Sequence, residues 1–365
     1  MFKKSLAAVA VLGAFAGSAL AADVQLYGLV DLGLNWTNTD NGKTTTDSFS
    51  MTSGQNSGSR FGLKGTEDLG NGYTVGFILE NSFKADDGAL DKGSRLFHRE
   101  SILYVQTPYG ELSAGRTGGL DSGVGRYGML SGSATPMSTG WDNIAKTGKI
   151  FLGLGDRMDN TLTYKTPTFA GVTVYAQASL KKSNVDEKGV AIEDQEGSSK
   201  ADRYYALGVK YAAGALNAGL AVSQTDWNRE DLKTQTNDDN QTVVSAFANY
   251  DFGMVKPMVA VQYFDGGKDA DAAALNKGYG IVVGATAPLV GGTLKAQFGY
   301  NDYEDVKTGA TDGNNFIAGV GYEYPLSKRT FLYTAAGYTQ EKTETAGVEA
   351  KTKTSEVMFG MVHSF

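Results

Sequence analysis

Along most of this chain, apolar and polar residues change places with a period of two. Val24, Leu26, Gly28, Val30, Leu32, Leu34 and Trp36 share one face, while Gln25, Tyr27, Leu29, Asp31, Gly33 and Asn35 share the other. Side chains alternate across a β-strand, so the pattern predicts a strand with one apolar and one mostly wet side. Its length, about thirteen residues, exceeds the five or six of an average globular strand and matches the tilted strands that cross a bilayer. The same period returns at 60–66, 73–80, 157–165, 172–180, 205–211, 216–222, 244–252, 259–263, 279–283, 294–300, 316–324, 332–338 and 357–365. With the less regular segments 97–107 and 111–116, sixteen strands are predicted.

The connections alternate as well. Short links rich in Gly or Pro fall at 68–72, 108–110, 167–171, 212–214, 252–257, 288–292 and 325–328. Longer polar loops fall at 38–57, 84–96, 117–156, 181–202, 225–241, 265–277, 302–313 and 341–354. Seven short and eight long connections suit an even-stranded up-and-down barrel with both termini on the short-turn side. A β-sandwich would alternate too, but its strands are shorter, and so many long strands would leave unpaired edges. In lipid only a closed barrel satisfies every peptide group of a sheet. Aromatic residues at strand ends fit two interfacial girdles: Tyr211, Tyr250, Phe252, Tyr322, Tyr324 and Phe365 at one, and Trp36, Phe83, Tyr263 and Tyr300 at the other. The expected fold is all-β: a 16-stranded antiparallel transmembrane β-barrel, wide enough to hold water. The third long loop, at 117–156, exceeds an ordinary connection and carries Gly118, Gly119, Gly123, Gly125, Gly128 and Gly132. Loops of that length are usually functional. It is expected to fold into the lumen and narrow it.

Composition sharpens this picture. Residues 1–21 have the layout of a secretory signal peptide: Lys3 and Lys4, an apolar run, then Ala19-Leu20-Ala21 before a mature start at Ala22. The barrel is expected over 22–365. No later stretch approaches the roughly 20 apolar residues of a membrane-spanning helix. The formal charge of −7 argues against nucleic acid as a partner. With no Cys in the chain, hydrogen bonds and packing alone must hold the fold.

Candidate chemistry lies on the wet faces. Arg60, Lys64 and Arg157 stand there, with the lumen acids Asp31, Glu80 and Asp159. The phase is ambiguous at Arg99, where one of Arg99 and Glu100 must face lipid. Counting from Leu112 and Ala114, Arg116 points outward unless a bulge turns it. Inside the long loop, Asp121 and Asp142 are set against Arg126, Lys146 and Lys149, with Tyr127 and Trp141 nearby. Surplus positive charge in a narrow, low-dielectric passage concentrates anions. Catalysis is poorly supported: His98 and His363 are the only histidines, and His98 could serve as a base only with an opposing serine. No cofactor is implied. Asp265, Asp269 and Asp271, and Glu187, Glu193, Asp194 and Glu196, fall short of calcium-loop spacing. They could bind Ca²⁺ or Mg²⁺ loosely, bridging to lipopolysaccharide phosphates.

Several stretches together resemble the general trimeric porins of Gram-negative bacteria, of the β-proteobacterial and neisserial type. They are Asp23-Val-Gln-Leu-Tyr-Gly28, Ser59-Arg-Phe-Gly-Leu-Lys-Gly65, Arg99-Glu-Ser101, Gly115-Arg116, Arg157-Met-Asp-Asn-Thr-Leu-Thr-Tyr164 with Pro167, Leu326-Ser-Lys-Arg329 and Val362-His-Ser-Phe365. The resemblance implies a homotrimer in the outer membrane. It also implies a basic wall facing the inward loop, which carries over to Arg60, Lys64, Arg99, Arg116 and Arg157. The loop departs from many porins in lacking Pro-Glu-Phe-Gly-Gly. The last strand, with Val357, Phe359, Met361, His363 and Phe365 alternating, is similar to the signal read by the barrel assembly machinery. The expected function is passive diffusion of small hydrophilic solutes and ions, with mild anion preference. The alternatives are a solute-selective channel with a saturable site and an adhesin-like barrel that displays its outer loops.

Overall fold

The computed structural model describes residues 24–92, 95–138, 140–141, 144, 146–183, 196, 201–227, 240–268, 275–305 and 311–365. The proposed leader, the start at Ala22, Asp142, and most of the acidic clusters lie outside the described residues. Among the described residues, seventeen strands form one antiparallel sheet. In chain order they are β1 Gln25–Asp40, β2 Thr45–Ser53, β3 Arg60–Gly70, β4 Tyr73–Ser82, β5 Glu100–Thr107, β6 Gly110–Gly118, β7 Arg157–Lys165, β8 Val172–Ser179 and β9 Arg203–Ala213. Then follow β10 Leu216–Asp226, β11 Gln241–Tyr250, β12 Lys256–Lys268, β13 Leu275–Leu289, β14 Gly292–Asp305, β15 Thr311–Pro325, β16 Thr330–Thr345 and β17 Val348–Ser364.

The sheet closes on itself. β1 pairs with β17 from Leu29↔Ser364 to Asp40↔Lys353, and Gly28 and Phe365 exchange two further backbone bonds at 3.2 and 3.0 Å. The barrel has sixteen staves because β2 and β3 share one: β2 pairs with the outer part of β1 and β3 with Gln25–Leu29. Between them, residues 54–59 leave the wall.

Along the staves apolar side chains alternate outward, while the inner phase mixes polar residues with small or apolar ones such as Ala260, Val282 and Ile317. Leu207 is 65% and Phe359 54% exposed, whereas Asp31 is 0% exposed. Water would not tolerate such an outer face; lipid requires it. A two-layer sandwich, with apolar faces pressed together, is excluded.

Several expected loops prove to be strand. β1 continues to Asp40 and returns as β2 through 38–57; β16 and β17 continue through 341–354 and β14 and β15 through much of 302–313. Pairing persists beyond the lipid band on Thr-rich sequence such as Thr343 and Thr345, where both faces are polar and the hydrophobic signal vanishes although the backbone ladder does not.

At the seam the terminal aromatic packs closely on the backbone of β1. A Cβ at Gly28 would meet the Phe365 ring at 2.5 Å and Arg60 O at 2.4 Å. Gly28→Leu should therefore evict the terminal aromatic and reduce the heat-modifiable barrel seen on gels; a normal yield of folded barrel would contradict this.

Candidate functional site

The segment 119–156 pairs with no strand among the described residues and contains only a short 3₁₀ turn at Thr147–Lys149. Its peptide groups must still be bonded. They meet carboxamides on the polar phase of the wall, each offering a donor and an acceptor. Gln177 accepts from Leu120 N at 3.1 Å and donates to Gly118 O at 3.1 Å. Gln262 does the same for Leu152, at 2.6 and 3.1 Å. Gln297 accepts from Met137 N at 3.1 Å and donates to Thr147 Oγ1 at 2.9 Å. Asn249 donates to Ser133 O at 2.6 Å, and Asn301 and Asn315 both reach Lys149 O, at 2.9 and 3.1 Å.

Apolar side chains of the segment sit against polar-phase glycines. A Cβ at Gly208 would lie 2.3 Å from Met129 Cε, at Gly284 2.7 Å from Pro136 Cγ, at Gly299 3.0 Å from Ile150 Cγ1 and at Gly321 2.8 Å from the Trp141 ring. Leu120, Leu130, Met137, Ile144 and Ile150 are fully buried. Burying each such side chain contributes about 1.5–3 kcal/mol.

Beside this segment lies a cavity of about 750 Å³. Its lining brings together Arg60, Arg99 and Arg157 of the predicted wall, Lys146 of the segment, and two cations the sequence reading missed, Lys256 and Lys295. Glu323 is the carboxylate among the lining residues, and it accepts Lys295 Nζ at 2.8 Å. Trp141, Met137, Met258 and Phe331 add apolar surface. Arg157 Nε is buried with no hydrogen-bond partner.

The other candidates are placed elsewhere. Lys64 is exposed, with Nζ 5.1 Å from the Tyr27 ring centre. Arg116 does turn inward, at a register shift between Gly115 and Thr117, where Gly115 has φ +131°. It bonds Asp159 at 2.6 Å, and Arg95 grips the same carboxylate with two bonds at 2.7 and 2.8 Å. The Arg99–Glu100 conflict is resolved without either facing lipid. Arg99 precedes the strand and bonds Glu80 at 2.6 Å, while Glu100 is buried and accepts from Thr117 at 2.7 Å and Arg126 N at 2.8 Å.

Arg126 and Tyr127 are both tied to Glu111, the guanidinium by bonds of 2.9 and 2.8 Å and the phenol at 2.7 Å. Those bonds to Glu111 raise Arg126 above its usual range, and burial raises Tyr127. Lys149 pairs with Glu341 at 2.7 Å. Asp121 is buried under the hydroxyls of Tyr204 (2.7 Å) and Ser223 (2.5 Å); burial raises its pKa, opposed by those two bonds. Asp31, expected as a lumen acid, is on the inner phase but sealed beneath residues 54–59. Among the described residues no group of three or more potential ligands could hold a metal ion.

A closed barrel, apolar outside and polar within, holding a charged internal cavity, defines a membrane-spanning channel. The chain belongs to the Gram-negative porins: that family's model matches residues 7–344. It is 30% identical over 379 residues to an outer membrane porin protein of Bordetella pertussis, covering 92% of this chain and 94% of that one. It is also 30% identical over 353 residues to outer membrane porin protein 32 of Delftia acidovorans, covering 96% and 93%. Among solved structures, the anion-selective porin from Comamonas acidovorans superposes with a TM-score of 0.69 at 25% identity, covering 94% of this chain and 100% of that one. The protein is an outer-membrane channel for small solutes.

His98 lies in the connection between β4 and β5. Its Nε2 is 2.8 Å from Ser82 Oγ, the opposing serine that a catalytic reading would need. Yet Ser82 donates to Asp91 at 2.8 Å, and both Ser82 and His98 are buried, out of reach of a solute. Burial lowers His98 to about 4, against the pull of Asp91. The folded chain thus binds this proton more weakly than the unfolded one. The stability it confers is complete above pH ~6.5 and is lost as pH falls toward 4, by on the order of 3 kcal/mol. His98→Gln should abolish that part of the acid sensitivity in denaturant unfolding; an unchanged pH profile would contradict it.

Proposed function

We propose that the 119–156 segment lies inside the barrel and sets the bore, and that cations on the facing wall bias passive diffusion toward small anions. The cavity lining supports this most directly: six cations, Arg60, Arg99, Lys146, Arg157, Lys256 and Lys295, line it with one acid, Glu323. Water-excluding walls strengthen the resulting potential. The name of the Comamonas porin, anion-selective, points the same way. Of the predicted basic wall, Arg60 and Arg157 carry the bias, Arg99 is paired with Glu80 and Arg116 with Asp159, and Lys64 lies outside the cavity lining. In a salt gradient, Arg60→Ser with Arg157→Ser should lower the anion-to-cation permeability ratio; an unchanged reversal potential would refute the assignment.

The inward position of the segment is supported by its bonds to polar-phase carboxamides and by the glycine seats. Gly321→Val would press on Trp141, and overpacking of this kind costs about 1–3 kcal/mol. The expected result is a larger single-channel conductance from a normally assembled barrel; conductance identical to wild type would contradict the inward position. The protein is further proposed to work as a homotrimer, a form in which the Vibrio cholerae outer membrane protein OmpT has been solved. The alternate outward residues Val357, Phe359, Met361, His363 and Phe365 are assigned to recognition by the barrel assembly machinery.

A further inference from the structure

Residues 54–59, where the second stave breaks, are held from below by Asp31. Its Oδ2 accepts the N–H groups of Asn56 at 2.8 Å and Ser57 at 2.7 Å, and its Oδ1 accepts the Tyr333 hydroxyl at 2.7 Å. Its carbonyl accepts Gly54 N at 2.9 Å and the Ser59 hydroxyl at 3.1 Å, and its own N–H donates to Ser59 Oγ at 3.0 Å. A buried carboxylate is tolerated only when so surrounded by donors, and hydrogen bonds to an ionised acceptor are the strong ones.

From above, Gly54, Asn56, Ser57 and Gly58 line the cavity. Gly58 O accepts Arg60 Nε at 2.9 Å, and a Cβ at Gly58 would lie 3.3 Å from Arg99 Nη1. Asn56 Nδ2 donates to Glu323 at 3.1 Å, the acid that also takes Lys295. A Cβ at Gly140 would lie 1.9 Å from Asn56 O, so the long segment rests directly on this one. Trp141 in turn stands edge-on to Tyr333, with centroids 5.9 Å apart.

We propose that residues 54–59 form a second inward constriction element, clasped by Asp31 and Tyr333, that aims Arg60 and Arg99 into the cavity and so determines charge selectivity. Asp31 and Tyr333 are positioning residues: neither lines the cavity. The clasp explains why an acid occupies the inner face of β1 at a level where an open carboxylate would cancel the wall's positive charge. This rests on the anion bias proposed above, and the test separates the two.

Full-length wild type, Asp31→Asn, Tyr333→Phe and Arg60→Ser are compared by reversal potential in planar bilayers, with heat-modified migration on gels to establish assembly. Asp31→Asn is expected to lose at least half of the anion bias that Arg60→Ser loses, and Tyr333→Phe to move it the same way, both in assembled barrels. Wild-type bias in assembled Asp31→Asn and Tyr333→Phe, alongside a reduced bias in Arg60→Ser, overturns the clasp and leaves the wall assignment standing. No change in Arg60→Ser itself overturns both. Should Asp31→Asn fail to assemble, Tyr333→Phe, which removes a single hydroxyl, decides the matter.

Discussion

A stretch of chain that pairs with no strand must bond its peptide groups some other way, and in this protein the wall supplies the means. Gln177, Asn249, Gln262, Gln297, Asn301 and Asn315 come from five strands, β8, β11, β12, β14 and β15, and all offer a carboxamide to the 119–156 segment. An amide side chain can satisfy a carbonyl and an N–H at once, which suits it to irregular backbone. The glycines beside these amides let Met129, Pro136, Ile150 and Trp141 settle against the wall. The polar bonds fix register and the apolar seats supply most of the stabilisation, because a hydrogen bond formed in exchange for water nets only about 1 kcal/mol.

The charge arrangement follows from what the acids are already doing. The chain is acidic overall, at −7, but acids on the inner surface are engaged in fixing structure. Asp159 gathers Arg95 and Arg116, Glu111 holds Arg126, Glu341 holds Lys149, and Asp31 fastens residues 54–59. Net charge therefore says little about the potential a solute meets. Under the proposed anion bias, that potential comes from the cations lining the cavity, Arg60, Arg157, Lys146 and Lys256 among them, within roughly one Debye length, about 8 Å at physiological salt, of a passing ion.

Much of the fold is legible in the sequence because lipid imposes a strict period of two on every stave. The signal ends where lipid ends, so the polar extensions of β1–β2 and β16–β17 read as loops although their backbones pair. The broken second stave was invisible for a related reason: Ser, Gly and Asn at 54–59 look like any loop, and only the pairing of β1 with both β2 and β3 reveals the gap. Alternation places Arg60 and Arg157 on the inner phase, where they line the cavity, and the need for a bulge at Arg116 matches the observed register shift. Lys256 was hidden in a short turn. Lys295, like the carboxamides and glycines, occupied an inner position whose significance depends on what packs against it, and that is a long-range fact.

Gly148 lines the cavity, and a Cβ there would meet open space. Since the chain contains no Cys, Gly148→Cys would carry a unique thiol at that point of the segment. Single-channel current is recorded before and after adding a bulky thiol-reactive reagent. Stepwise loss of current on labelling is expected if the segment stands in the bore; complete modification with the current unchanged would contradict it.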